Sequence, residues 1–355
     1  DQRMIIIKDE LIEIKEKYGD KRRSEIEHSA AEFTVEDMIP DEDMVITASH
    51  QGYLKRTSLD EYRTQGRGGL GARGVKTKDD DFNEHLFIAS THNYLLIFTE
   101  FGKVFWKKVW EIPEGSKVSK GRAIQNLINI EPGDNIRSII TITNLTEEEY
   151  LNNNYLVMCT ERGTIKKTKL EAYSRPRVNG INAITIKEND RLLDVKLTNG
   201  ENNIIIAKKS GKAINFHESN VRPMGRTASG VRGIRLENDK DKVIGMICVA
   251  REESDLLVVS QNGYGKRSSI EDYRITKRGG KGVMTLKTTD KTGHLVAIKE
   301  VKTNDELMII NKSGIAIRMS ISDENIRVMG RATQGVKLIR LSEGDEISSV
   351  AKIET

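Results

Sequence analysis

Six short apolar runs recur along the chain, each closely followed by a glycine. The runs are Met44–Ala48, Tyr94–Phe98, Tyr155–Cys159, Ile204–Ala207, Leu256–Val259 and Leu307–Ile310, and the glycines are Gly52, Gly102, Gly163, Gly211, Gly263 and Gly314. Rich in β-branched residues and bounded by turn residues, each run has the length of a strand rather than of a helix. A glycine just after such a run suits a hairpin turn, because it enters positive φ without a Cβ penalty. Asn262-Gly263 is the strongest of these signals. A second glycine follows 17 to 21 residues later: Gly71, Gly121, Gly180, Gly230, Gly282 and Gly335. Six units, each reading strand, turn, strand, loop, strand over about fifty residues, predict an all-β, propeller-like ring of blades.

The front of the chain has a different period. Met4, Ile5, Ile7, Leu11, Ile12 and Ile14 lie among Lys and Glu in an amphipathic helical pattern over residues 3–18, with Gly19 where a C-terminal cap belongs. The polar stretch Gly19–Glu32 is a linker. The expected organisation is a helix and linker over 1–32 and a ring over 33–355. The acidic, Asn-rich insert N-L-T-E-E-E-Y-L-N-N-N in the third copy is expected to be an exposed loop.

Composition narrows the class. With 37% hydrophobic and 31% charged residues the chain fits a soluble protein with one modest core per blade. No apolar run approaches the ~20 residues of a membrane span. The start, D-Q-R-M-I-I-I-K-D-E, is too short and acidic for a signal peptide, which favours a cytoplasmic setting. Cys159 and Cys248 sit in apolar strands and read as buried, inert thiols. The six histidines follow no repeat and have no cysteine partners, so zinc-ligand spacing is missing. R-G-G-K-G at 278–282 ends on Val283 with no helix behind it, which argues against a nucleotide-phosphate loop.

Charge adds a candidate chemistry. The net charge of +4 divides into −7 over residues 1–43 and +11 over the rest. After the turn glycines stand Lys55-Arg56, Lys107-Lys108, Lys166-Lys167, Lys212, Lys266-Arg267 and Arg318. Near the second glycines stand Arg67 and Arg73, Lys120 and Arg122, Arg175 and Arg177, Arg226 and Arg232, Lys277, Arg278 and Lys281, and Arg331 and Lys337. One such pair would be an ordinary solvated face. Recurrence in every copy points to a basic stripe that meets the phosphates of a duplex, with glycine-rich loops letting backbone approach the polyanion. Copy two departs by carrying Phe105, Trp106 and Trp110 where others carry the basic pair, with Lys107 and Lys108 restoring the charge. No recognition helix or zinc finger is present to read bases.

With Q-G-R-G-G-L-G at Gln65–Gly71, V-I-T-A-S-H-Q-G-Y-L-K-R before it, G-D-K-R-R-S-E-I at 19–26, N-G-Y-G-K-R in copy five and G-V-R-G-I-R-L in copy four, nearly the whole chain resembles the C-terminal DNA-wrapping domain of the DNA gyrase A subunit. The resemblance implies a six-bladed β-pinwheel of four-stranded blades that exchange strands, preceded by the last helix of a breakage-reunion domain. It implies sequence-independent wrapping of duplex DNA, which presents a segment for strand passage in ATP-dependent negative supercoiling. The active-site tyrosine would lie in the upstream domain, so this chain alone would not cut DNA. It would need no cofactor of its own; ATP and Mg2+ would act through other domains of an assembly of two A and two B subunits, near the nucleoid. By the same resemblance Arg63, Gln65, Arg67, Gly68, Gly69, Gly71 and Arg73 join the DNA-binding set. The family's box is Q-R-R-G-G-K-G, so Gly66 and Leu70 here stand where cations are usual. The alternatives are the corresponding domain of topoisomerase IV, whose box is degraded, and a protein-binding propeller of the regulator-of-chromosome-condensation kind, which needs no cation in every blade.

Overall fold

The computed structural model describes residues 2–20, 35–49, 51–59, 83–116, 119–249, 254–303, 305–313 and 316–353. The chain divides into two units, Asp1–Pro40 and Asp41–Thr355. The first holds the helix Gln2–Tyr18, whose end is tied by a 2.9 Å bond from the Gly19 amide to the Lys15 carbonyl. A Cβ on Gly19 would sit 2.3 Å from that same oxygen, so the capping glycine has a steric reason. A 3-10 turn, Val35–Met38, follows. Among the described residues no helix is long and apolar enough to cross a membrane.

The second unit is a ring of six antiparallel sheets. In the fifth, the central strand Asp255–Ser260 pairs with Tyr264–Ser269 on one side and Leu295–Val301 on the other. Its fourth strand, Val336–Lys337, comes from the sixth repeat. The same exchange recurs: Arg122–Ala123 completes the first blade, Ile181–Asn182 the second, Val231–Arg232 the third and Val283–Met284 the fourth. The sixth sheet has three strands among the described residues, Glu306–Asn311, Ala316–Ser320 and Ile347–Ile353. Its inner strand lies against Asn83–Ser90 of the first blade and closes the circle. The inner strands surround a central cavity of about 490 Å³, to which every blade contributes, through His85, Ile140, Asp194, Ile247, Lys299 and Ser349.

The cores lie between blades, not one within each as composition suggested. Side chains alternate along a strand, so a central strand serves two cores at once. Leu95 and Ile97 pack with Met44 and Ile46 of the blade before, while Leu96 and Phe98 pack with Leu156 and Met158 of the blade after. Likewise Leu256 and Val258 share a core with Ile205 of blade four, and Leu257 and Val259 with Leu307 and Ile309 of blade six. Burial on both faces explains why these strands are continuously apolar. The insert of the third copy also joins a core. It forms a short helix, Glu148–Asn153, and buries Leu145 and Leu151, where an exposed loop was expected. Cys159 and Cys248 are free and buried, and burial drives both thiols far above their ordinary pKa.

The two recurrent glycines serve the strand exchange. Gly211 has φ +82, and a Cβ there would meet the Leu286 carbonyl oxygen at 2.5 Å, on the chain arriving from the next repeat. Gly282, on that arriving chain, has φ +79, and its Cβ would meet the Ala213 carbonyl oxygen at 2.6 Å. The close approach that these glycines permit is therefore backbone against backbone.

Candidate nucleic-acid interface

In blades one, three and five the cations three and four residues after the turn glycine point into the protein, whereas Arg318 of blade six, in the same register, is exposed. Lys55 is buried and donates to the carbonyls of Ser116 (2.9 Å) and Ser119 (2.8 Å). Lys166 is fully buried between the carbonyls of Ala183 and Arg226, and Lys266 donates to that of Gly330 at 2.6 Å. Burial lowers the pKa of both Lys166 and Lys266 to about 8. Each acceptor belongs to a crossing segment, a stretch that runs from one repeat back to the edge of the blade before it. These lysines fasten the exchanged strands and present no charge to a phosphate.

The next position repeats the logic with different chemistry. Arg56 Nε donates to Ile112 O at 2.8 Å, Arg267 Nε to Ile326 O at 2.6 Å, Lys167 Nζ to Glu218 O at 3.1 Å and Asn215 Nδ2 to Tyr273 O at 2.9 Å. In blade two Trp106 Nε1 donates to Tyr173 O at 3.0 Å. The position needs a side-chain N–H long enough to reach the crossing segment, and a charge is optional. Arg267 is fully buried and also pairs with Asp255 and Asp323. Arg56 pairs with Glu114 at 3.2 Å. The basic pairs expected to face DNA are thus structural, and Trp106 is their equivalent rather than an exception. Lys107 and Lys108 stand outside that register: Lys107 pairs with Glu111, and Lys108 donates to His92 O and lies 3.8 Å over the Tyr94 ring. Lys212 is held by Glu237 at 2.8 Å, and Arg318 pairs with Glu306.

Among the described residues, the cations near the second glycines lie outside. Arg122, Arg175, Arg177, Arg232, Lys277, Lys281 and Lys337 are exposed; Lys120 is exposed and sits 3.8 Å over the Tyr53 ring. Arg226, Arg278 and Arg331 are half-buried. Consecutive crossing segments touch. Thr185 donates to Thr227 O at 2.7 Å, Gly279 N to Gly233 O at 2.6 Å, Arg278 to Asn220 O and Arg232 O at 3.0 Å, and Arg331 to Met284 O at 2.9 Å. Segments three to six are thereby joined into one continuous band.

The charge of that band is one-sided. Residues 221–236, 273–286 and 326–341 hold four cations each and no carboxylate. Five of these twelve, Arg222, Arg235, Arg274, Arg327 and Arg340, were absent from the candidates read off the sequence, and all are exposed. Arg222, Arg274 and Arg327 directly follow the buried Val221, Tyr273 and Ile326, so aligning the copies on that buried residue would have found them. Arg63, Gln65, Arg67, Gly68, Gly69, Gly71 and Arg73, with Gly66 and Leu70, lie outside the described residues.

A curved band with twelve cations on its last three segments, without base-reading elements, can hold a polyanion through its backbone. Comparison with known proteins gives the same direction. A family model described as DNA gyrase C-terminal domain, beta-propeller, matches residues 43–90, 93–143, 154–199, 203–250, 254–302 and 305–354. The DNA gyrase A subunit of Staphylococcus epidermidis is 43% identical over 350 residues, 98% of this chain and 38% of the relative. Its counterpart in Staphylococcus aureus is 42% identical over 351 residues, 98% of this chain and 39% of the relative. The chain thus spans about two fifths of the length of the curated relatives it matches. Among solved structures, a DNA gyrase A C-terminal domain aligns with TM-score 0.69 at 28% identity, covering 88% of this chain and all of that one. The C-terminal domain of a DNA topoisomerase IV aligns with TM-score 0.73 at 26% identity, covering 89% of this chain and 95% of that one.

Proposed function

The chain belongs to the family of DNA gyrase C-terminal β-propeller domains, and from that premise we propose that it binds duplex DNA along the crossing-segment band and bends it around the ring. The observation that carries this reading is the band itself, twelve cations and no carboxylate over three joined segments. Contacts in successive blades can form together only if the duplex curves. A bend of 40–90° costs roughly 1–6 kcal/mol, and a charge-assisted contact returns about 1.5–3 kcal/mol, so a few blades offset it.

As part of gyrase, such a wrap would deliver a segment of the same DNA to the strand-passage site, with two A subunits and two ATP-using B subunits making up the cytoplasmic assembly. The topoisomerase IV reading is the second choice, because the matched relatives at 42–43% identity are gyrase A subunits. The test uses short duplexes with fluorophores at both ends and closed circles relaxed in the presence of the chain. Approach of the ends and a change in linking number are expected. Tight binding with unchanged end-to-end distance would overturn the wrap.

A further inference from the structure

Two of the nine arginines on the last three segments of the band are held by a neighbouring segment and seven are not. Arg278 and Arg331 are held, each donating to a carbonyl of the neighbouring segment. The side chains of Arg222, Arg274 and Arg327, like those of Arg226, Arg232, Arg235 and Arg340, have no hydrogen-bond or ion-pair partner among the described residues. Each of the first three is followed by an exposed apolar residue: Pro223, Ile275 (62% exposed) and Val328 (48%). The backbone of that residue is pinned to the edge strand, since Pro223, Ile275 and Val328 bridge to Lys167, Asn215 and Arg267. The dyads are therefore presented outward at equivalent places on three successive blades.

An apolar side chain gains nothing from a phosphate, yet here it stands at the same position three times inside a phosphate-binding band. Deoxyribose C–H groups line the walls of the minor groove and offer an apolar surface. A free guanidinium is also what a narrowed minor groove attracts, because narrowing concentrates negative potential there. A duplex bent around a protein turns its minor groove inward about every 10 base pairs and compresses it. We propose that the dyads Arg222-Pro223, Arg274-Ile275 and Arg327-Val328 enter the inward-facing minor groove of the bent duplex, the arginine along the groove and the apolar residue against the sugars, while the held arginines and lysines grip the phosphates. This rests on the wrapping function proposed above. It makes the domain a reader of groove width, with preference for A·T tracts phased to the helical repeat and no preference for a base sequence as such.

The experiment compares two duplexes of equal length and composition, one with A·T tracts in phase with the helical repeat and one with the same tracts out of phase. The parent chain is expected to bind the phased duplex several-fold more tightly. Arg222→Lys, Arg274→Lys and Arg327→Lys together keep the charge but substitute a more strongly hydrated cation; they should erase the preference and leave the salt dependence intact. Ile275→Ser with Val328→Ser, both at exposed positions, should weaken the preference without changing the melting temperature. Steep salt-dependent binding without a phasing preference, or a preference that survives the lysine triple, overturns the groove inference and leaves the wrapping function standing. Absence of salt-dependent binding altogether would overturn the function itself.

Discussion

The indole N–H of Trp106 donates to the carbonyl of Tyr173 at 3.0 Å, in the place where Arg267 reaches Ile326 at 2.6 Å three blades further on. Two side chains of opposite character perform one task, because the task is to satisfy a carbonyl at the start of the crossing segment. Without that donor the carbonyl would be buried unpaired.

Trp106→Phe keeps the ring in the core shared by blades two and three but removes the N–H. An unsatisfied buried acceptor costs about 1–3 kcal/mol. Urea unfolding of the variant should show a loss in that range, and Asn215→Leu should lose a similar amount. A change within about 0.5 kcal/mol for both, the usual scatter of neutral substitutions, would mean that the donors are dispensable.

The repeats, the hairpin glycines and the ring were legible because each rests on local chemistry. A glycine must follow the run, and Gly211 at φ +82 shows why. What periodicity could not show was direction. Lys166 and Lys277 are both cations near a repeat glycine, yet one is sealed in and one is exposed. Side-chain alternation along a strand is visible in sequence, but its two faces are equivalent until the neighbouring blade is placed. The outward cations lie on crossing segments, where no strand pattern exists and only alignment of the copies reveals Arg222, Arg274 and Arg327 as one column.

Stability should rise with pH just above neutrality. Lys166 and Lys266 release their protons near 8 in the folded chain, mainly through burial, whereas an unfolded lysine holds its proton to about 10.4. Between these values the two lysines make the unfolded chain bind more protons, so raising the pH favours the folded state. From about 8.5 unfolded Cys159 and Cys248 ionise while burial keeps both thiols protonated in the folded chain, which opposes the climb. Above about 10 the trend reverses, because unfolded tyrosines ionise there while burial raises Tyr173 and Tyr273 above that value. Denaturant midpoints should therefore climb from about pH 7.5 to about 9, level off, and fall beyond 10. Lys166→Met with Lys266→Met should flatten the climb, and a parent curve that already falls in that window would contradict the role given to the two lysines.

Inner and outer cations should separate cleanly in DNA binding. Lys277→Ala with Arg278→Ala removes two charges from the band and should reduce the salt slope by about two units, near one per phosphate contact. Lys266→Gln with Arg267→Gln removes two buried charges from the same repeat. It should lower the melting temperature and leave the salt slope of the folded protein unchanged. A slope that falls equally in both variants would restore the basic pair as a DNA contact.

The band should also be uneven around the ring. Segments four, five and six carry four cations each and no carboxylate, whereas segment two carries Glu114 on the Arg56 guanidinium and holds Lys120 over the Tyr53 ring. A cation already shared with an aromatic face has less to gain from a phosphate, and a nearby carboxylate repels the duplex. Lys120→Ala with Arg122→Ala should therefore cost less affinity than Lys277→Ala with Lys281→Ala, although each removes two exposed charges. Equilibrium binding to one 40-base-pair duplex at a fixed, moderate salt concentration makes the comparison, and melting curves confirm that both variants are folded. If charge count alone governs the grip, the two pairs will cost the same. If local charge balance governs it, the segment-five pair will cost several-fold more, and Glu114→Gln will tighten binding to the parent chain.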